Sequence, residues 1–411
     1  MPSSKKKKMY RKSRYYRQKM RRLKLMLTFL GAVFLLLVII LCVRSCGAGN
    51  KAKKTDSSNV QSDMIENGSP SVDGNDSSQD DEPSDHAQTE KASLPSEPVT
   101  LTVTVVGDCT LGTDENFDYS SSLNAYFENY GKDYFLQNVK SIFEKDDLTI
   151  ANMEGTLTDS TAREDKQFAF KAPASFAGIL SSGSVEAVNM ANNHSKDYGE
   201  QSFQDTLTAL DGEGIVHFGY DETAVMEIKG IKVGLVGIYE LYDHLEREQQ
   251  LRDNIEKVKS EGADLIIVIF HWGNERETVP DSNQMTLGRM AIDLGADLVC
   301  GHHPHVLQGI ETYKGKKIVY SLGNFCFGGN SAPSDMDTMI FQQTFTIIGD
   351  GVKNDDNTAI IPCSISSDYG YNNYQPTPAE GDEKTRIMNK IEERSSWIDT
   401  SDASMPGPGE S

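Results

Sequence analysis

Apolar and polar positions divide the chain into three regimes. Leu25 to Val43 is nineteen residues without a charge, dominated by Leu, Val, Ile and Phe, which is long enough to cross a bilayer as one helix. Arg44 to Pro98 is rich in Ser, Asp, Asn, Gly and Glu and almost lacks large apolar side chains. Such a segment cannot bury enough surface to offset its chain entropy, so it is expected to be a disordered tether. From Val99 to about Ile365, short apolar runs alternate with amphipathic stretches.

The runs at Leu101–Val106, Leu148–Ala151, Ala187–Met190, Lys232–Val236, Leu265–Phe270, Leu298–Cys300 and Lys317–Ser321 predict strands. They are continuously apolar rather than alternating, which predicts an α/β fold with sheets covered on both faces. Helical spacing at Ser122–Tyr130, Tyr134–Glu144, Ser175–Ser181, Gln201–Gly212, Leu245–Glu261 and Gln284–Leu294 predicts the covering helices. β-branched and aromatic residues at Thr338–Ile348 and Ala359–Ile365 predict antiparallel edge or second-sheet strands. Glu380–Trp397 predicts a last helix. The expected layout is a basic segment (1–24), a transmembrane helix (25–43), a disordered linker (44–98), one α/β domain (99–366) and a partly disordered C-terminal extension (367–411).

Charge gives this layout a direction. The residues before Val43 hold twelve Lys and Arg and no acid, whereas the whole chain carries −21, so the remainder carries −33. By the positive-inside rule the N-terminus is cytoplasmic and the domain extracytoplasmic, on a single-pass anchor in the cell membrane. A cleaved signal peptide fits less well, because the basic stretch is long and no small-x-small site follows the apolar run. The tether gives the domain a reach of about 40 Å. An acidic outer surface opposes nucleic acid as a partner. The six cysteines lack metal-finger spacing and are expected to be small buried hydrophobes.

Chemistry collects where the strands end. Leu101–Val106 runs into Gly107-Asp108, and Leu148–Ala151 into Asn152-Met153-Glu154. Ala187–Met190 leads to Asn192-Asn193-His194, with Asp197 soon after, and Leu265–Phe270 into His271-Trp272-Gly273. Leu298–Cys300 runs into Gly301-His302-His303-Pro304-His305. Sites in covered α/β sheets form beyond the carboxyl ends of strands. Singly, each residue has a plain structural reading: Asp108 as a turn residue, Glu154 as a cap, Asn193 as an Asx turn, His271 as a core histidine. Jointly, five of the eight histidines fall at strand ends beside acids and amides, which favours a metal.

Pro304 biases His303 toward an extended backbone, and residues two apart in an extended segment point the same way. The imidazoles of His303 and His305 are therefore expected to project together. Asp108, Glu154, Asn193, His271, His303 and His305 are six candidate ligands for one or two divalent ions such as Mn, Zn or Fe. Glu154 is the natural bridge between two ions. His194 is the candidate catalytic residue, stabilising or protonating a leaving group. His302 has a supporting or structural role.

The segments G-D-C-T-L-G (107–112), N-M-E-G (152–155), F-K-A-P (170–173), A-N-N-H-S-K-D-Y-G (191–199), H-W-G-N-E (271–275), G-H-H-P-H-V-L-Q-G (301–309) and S-L-G-N-F (321–325), in that order, resemble the CapA-type poly-γ-glutamate capsule biosynthesis proteins. The resemblance covers about Leu101 to Phe325. It implies a two-sheet sandwich flanked by helices, similar to calcineurin-like metallophosphatases, and it carries over the same six ligands and His194. Within these motifs Lys171, Asn192, Glu275 and Asn324 are the candidate substrate contacts. One departure stands out: that fold usually follows its first aspartate with x-His, and here Cys109-Thr110 follows, leaving one metal a ligand short.

The resemblance implies a part in making, exporting or anchoring poly-γ-glutamate or another surface polymer, beside capsule synthesis or export proteins of the membrane. Two readings follow, a metal-dependent hydrolase or transferase and a non-catalytic member of an export complex. An acidic domain suits a polyanion poorly. Lys171, Arg163 or Arg276 would have to supply local positive potential, which favours capture of a chain end over wrapping of the polymer.

Overall fold

The computed structural model describes residues 97–349 and 351–398. The expected basic segment, membrane helix and nearly all of the tether lie outside the described residues, as do residues 399–411. Among the described residues no helix is long and apolar enough to cross a membrane.

In chain order the strands are β1 (Val99–Thr110), β2 (Leu148–Glu154), β3 (Thr156–Leu157), β4 (Lys171–Ala172), β5 (Ala187–Asn189), β6 (Val216–Phe218), β7 (Ala224–Ile228), β8 (Ile231–Tyr239), β9 (Leu265–His271), β10 (Leu298–His302), β11 (Ile310–Tyr313), β12 (Lys316–Val319), β13 (Asp337–Ile348), β14 (Gly351–Ser364) and β15 (Thr377–Pro378). One mixed sheet runs β15-β14-β13-β1-β2-β5-β6 and a second runs β11-β12-β10-β9-β8-β7, while β3 and β4 pair alone. The succession β1, β2, β5, β6 is parallel, as is β8, β9, β10, β12. Within each succession the carboxyl ends therefore open on one side.

The α-helices are α1 (Leu123–Tyr130), α2 (Lys140–Phe143), α3 (Ala177–Ser182), α4 (Gly199–Gly212), α5 (Glu248–Ser260), α6 (Ser282–Asp293) and α7 (Gly381–Ser396). Between the sheets, Leu101, Val103 and Val105 of β1 and Ile150 of β2 pack with Val233 and Leu235 of β8 and Leu265, Ile267 and Ile269 of β9. The intervening residues turn outward and are buried as well. Ile266, Val268 and Phe270 join Leu251 and Ile255 of α5 and Leu287 of α6. Ala151, Met153 and Val188 join Leu123 of α1, Ile179 of α3 and Leu210 of α4. Burial on both faces is the physical reason the strands read as unbroken apolar runs.

Two expectations change. The Thr338–Ile348 run is not an edge strand: β13 lies between β1 and β14, antiparallel to β1 from Val99↔Ile347 to Val105↔Phe341. Met339, Phe341, Phe345 and Ile347 all face the layer between the sheets, which draws it inward. The Tyr134–Glu144 pattern gives a 3-10 turn at Lys132–Tyr134 and the short α2 in place of one helix. Tyr134 and Phe135 are committed instead to ring contacts with Tyr126, Tyr130 and Phe127.

Residues beyond 366 pack on the same body. β15 pairs with β14, and α7 seats Ile387 and Ile391 in the layer between the sheets. Arg386 and Lys390 of α7 bind Asp337 at the start of β13. Cys109, Cys300, Cys326 and Cys363 are buried free thiols, and Cys42 and Cys46 lie outside the described residues.

Candidate metal centre

Backbone register brings the strand-end residues together. A register shift between Val105 and Asp108 bends the end of β1, as bulges do. Gly107 is required there, because a Cβ would stand 2.2 Å from the Gly323 carbonyl. Asp108 then pairs with the 321–325 segment, its N–H donating to Gly323 O at 2.9 Å and its carbonyl accepting from Phe325 N at 2.8 Å. Parallel pairing sets Glu154 opposite Thr110, whose hydroxyl donates to Glu154 Oε2 at 2.7 Å. In the other sheet, pairing of β9 with β10 sets His271 opposite His302.

The donors converge across the seam. Ligand atoms of Asp108, Glu154 and His271, all buried, lie within 4.8 Å of one another. His271 Nε2 stands 2.7 Å from Asn193 Oδ1 and 3.5 Å from Glu154 Oε1. Asp108 Oδ1 is 3.1 Å from His302 Nδ1, outside hydrogen-bonding alignment. Asp108 Oδ2 is 3.3 Å from His305 Nδ1 and accepts the backbone N–H of His303 at 3.2 Å. The His303 ring lies 4.8 Å from that of His271 and 5.7 Å from that of His305.

The histidine turn is not extended, contrary to the expectation from Pro304. His303 has φ 93° and His305 φ 56°, and β10 ends at His302. The imidazoles approach because two left-handed residues flank Pro304, a conformation that costs a non-glycine residue on the order of 1–3 kcal/mol and concentrates at functional sites.

Glu154 Oε1, His303 Nδ1 and both ring nitrogens of His302 are buried without a hydrogen-bond partner. Buried polar atoms are rarely left unpaired, so these orphans, mixed with aspartate and amide oxygens, fit a divalent cation. Charge agrees. Burial drives His271 well below its ordinary range, and burial together with nearby His305 takes His303 down to about 3; both imidazoles are therefore neutral and able to act as ligands. Burial alone would raise Asp108, but contacts with His302 and His305 hold it well below the usual carboxylate range. Burial raises Glu154, with the Asp108 charge adding to the effect. Burial also pushes the Cys109 thiol up to about 12, which disfavours it as a thiolate ligand.

His194 sits at the rim with a support of its own. Its Nδ1 is 2.8 Å from Asp197 Oδ2, so Nδ1 carries the proton. Lys166 Nζ donates to Asp197 Oδ1 and, at 2.7 Å, to Asn193 O. The ring packs 4.6 Å from that of Phe170 and lines a cavity of about 450 Å³ with Glu275, Arg276, His305, Asn324 and Phe327.

The candidate substrate contacts separate. Glu275 lines the cavity. Asn324 also lines it, but its Oδ1 is 2.8 Å from His305 Nδ1, which makes it a positioning group. Asn192 is buried, donating to Met153 O at 2.8 Å and accepting His194 N at 3.0 Å, so its amide is spent on holding the loop. Lys171 points elsewhere: its ammonium donates to Ser160 O at 2.8 Å and lies 4.5 Å over the Tyr198 ring.

Sequence reasoning missed Asn152 and Lys166. Asn152 Nδ2 donates to Asp108 Oδ1 at 2.8 Å and lies 3.3 Å from His271 Nδ1, while its Oδ1 accepts from Asn189 at 2.9 Å. Neither carried a local signal: Asn152 lies inside the N-M-E-G motif, but its role comes from its register opposite Asp108, and Lys166 lies in a polar loop.

Two facing sheets with a buried carboxylate–imidazole cluster at their carboxyl ends define an α/β protein with a candidate metal centre. Residues 102–329 match the family described as bacterial capsule synthesis protein PGA_cap, and the chain belongs to that family. Capsule biosynthesis protein CapA of Bacillus anthracis is 28% identical over 253 residues, 55% of this chain and 60% of that one. PGA biosynthesis protein CapA of Bacillus subtilis (strain 168) is 30% identical over 262 residues, 59% and 67% of the two chains. A probable polyglutamine synthesis accessory protein of Mycobacterium tuberculosis is 27% identical over 208 residues, 43% and 55%. The chain thus spans about half to two thirds of the length of these relatives.

Proposed function

We propose that this chain is a membrane-anchored, extracytoplasmic hydrolase or transferase that acts on a phosphoester or amide of poly-γ-glutamate, or of another surface polymer, during its synthesis or export. The observation that carries the reading is His194, backed by Asp197 and Lys166, at the rim of a buried cluster with orphaned donor atoms. Asp108, Glu154, Asn193, His271, His303 and His305 would hold one or two Mn, Zn or Fe ions, as in metallophosphatase-like sites. When bound, a divalent cation supplies Lewis-acid polarisation and a more acidic water. The chain's own part is to orient and to move protons. Asp197 accepts from His194 Nδ1 and so leaves Nε2 free to take up a proton, for instance from an attacking water, and then to pass it to a leaving oxygen or nitrogen. Phe168, Phe170 and Phe327 give the cavity one apolar side.

The relatives' names supply the polymer, and the basic segment and nineteen-residue apolar run supply the anchor. Capsule synthesis or export proteins of the membrane are the partners this arrangement suits. Full-length protein loaded with Mn, Zn or Fe should cleave a γ-glutamyl amide or a simple phosphodiester, and His194→Ala should lose that activity while keeping metal. Wild-type protein inert with every metal and substrate would end the reading.

A second reading has its own observation. Where related phosphatases place a histidine, Thr110 spends its hydroxyl on Glu154, which suits a centre used for binding or structure within an export complex. Export that survives loss of Asp108 and His271 together would exclude both readings of the centre.

A further inference from the structure

The cavity beside His194 and His305 is lined at its exposed edge by two adjacent residues of opposite charge, Glu275 and Arg276. Of the three cations considered for it, Lys171 is spent on Ser160 and Tyr198. Arg163 is held by Asp114 at 2.8 Å and Glu115 at 3.4 Å. Arg276 alone, among the described residues, brings a Lys or Arg side chain to the lining. The acids of the lining reduce in the same way. Asp118 accepts the hydroxyls of Ser120 and Ser121, and Asp335 is paired with Lys390 at 3.2 Å. Glu275 remains. Among the described residues, neither Glu275 nor Arg276 has a side-chain hydrogen bond or ion pair, with each other or with any other group.

The backbone that carries them is fixed. Gly273 and Arg276 have φ 76° and 66°. Gly273 N donates to Glu240 Oε2 at 3.3 Å, and Asn274 Nδ2 to Asp281 Oδ2 at 3.3 Å. Arg276 N donates to Pro304 O at 2.8 Å, between His303 and His305. Gln308 Nε2 donates to Glu277 O at 3.0 Å. Two adjacent opposite charges are thus held on a strained loop tied to the histidine turn, without neutralising one another.

We infer that Glu275 and Arg276 form a subsite for an amino-acid head group, Arg276 taking an α-carboxylate and Glu275 an α-ammonium. A guanidinium fork matches a carboxylate in two parallel bonds, and a carboxylate is the natural acceptor for an ammonium group. Resting on the polymer reading above, the inference names the part of the polymer that enters. A γ-linked glutamate chain carries ammonium and carboxylate on one carbon only at its amino end; each internal residue keeps the carboxylate but has its nitrogen in an amide. The subsite therefore selects the amino-terminal unit. Recognition of a single chain end also resolves the conflict between an acidic domain and a polyanion, since one residue enters and the rest stays in solvent.

The test uses metal-loaded full-length protein and three probes: γ-linked triglutamate, its N-acetyl derivative, and its α-methyl ester at the first residue. By titration calorimetry, wild type should bind the free trimer about ten- to a hundredfold more tightly than either blocked form. Arg276→Asn, chosen because asparagine tolerates a left-handed backbone, should abolish the ester penalty and keep the acetyl penalty. Glu275→Gln should do the reverse. Unfolding midpoints equal to wild type separate lost recognition from lost fold. Blocked and free trimers binding equally to wild type, or penalties that persist in the variants, would overturn the inference. Protein that discriminates in this pattern but turns over no substrate would remove the hydrolase reading alone. Cleavage of internal bonds without end preference would remove only the subsite.

Discussion

The backbone N–H of His303 donates to Asp108 Oδ2 at 3.2 Å, joining residues 195 positions apart. Asp108 lies near the carboxyl end of the central strand of one sheet and His303 follows a central strand of the other. The candidate centre is therefore a property of the seam: one sheet contributes Asp108 and Glu154, the other His271, and the histidine turn closes over them. Neither sheet alone holds a complete set of donors.

Metal content should report on that seam directly. Asp108→Ala and His271→Ala should each lose bound metal by elemental analysis, and Asn152→Ala should weaken affinity about 10–100-fold by releasing Asp108 and His271 from their shared amide. Chelation of wild type should lower the unfolding midpoint, since a ligand present at a hundred times its Kd adds about 2.7 kcal/mol. Full metal content in Asp108→Ala would remove that carboxylate from the ligand set.

The His194–Asp197 contact makes a different prediction. If the polymer reading holds, His194→Ala should lower turnover about 10²–10⁴-fold with metal content unchanged. Asp197→Asn should lower turnover as well, because the Nδ1 proton then loses its charged acceptor. Equal turnover in wild type and His194→Ala, measured on the same substrate, would return His194 to a structural role.

Gly301 tests packing behind the histidine turn. A Cβ there would stand 2.2 Å from both Trp272 Nε1 and Tyr320 O, which are hydrogen-bonded to each other at 2.8 Å. Gly301→Ala should destabilise by about 1–3 kcal/mol in urea unfolding and should displace the ring nitrogen from its carbonyl. An unchanged midpoint would mean that the Trp272 layer yields easily.

Acid should loosen α7. Burial would raise the Asp337 carboxyl, but hydrogen bonds and charge from Arg386 and Lys390 bring it below its ordinary value. A carboxyl lowered in the folded state stabilises fully above its unfolded pKa, about 3.9, and that stabilisation is lost as pH falls through the folded value. Stability should therefore drop below about pH 4, and the drop should be shallower in Arg386→Ala combined with Lys390→Ala. Hydrogen exchange along α7 would show whether the loss begins there.

Legibility in the sequence followed the range of the interactions. Asp108, Glu154 and His271 each close an apolar run, so local pattern and the rule that sites form at strand carboxyl ends were enough to single them out. Asn152 owes its role to cross-strand register, which no local pattern encodes. Lys166 lies in a polar loop and acquires its place only when Asp197 folds against it. Lys171 shows the limit of motif position, since an ammonium facing the cavity and one facing Ser160 leave the same letters in the chain. The sheets were readable as doubly covered, but the place of β13 beside β1 depends on pairing across more than two hundred residues, and an alternating aromatic run looks alike in the interior and at an edge.

Entry of the chain through β1 has a mechanical consequence. That strand is the first of the fold and lies in the middle of its sheet, hydrogen-bonded to β13 along one side and β2 along the other. Tension applied from the N-terminal side would run along the strand axis and strain both ladders in shear, so that many hydrogen bonds resist together instead of opening one after another. A domain threaded this way would resist a pull from its N-terminal side as one unit.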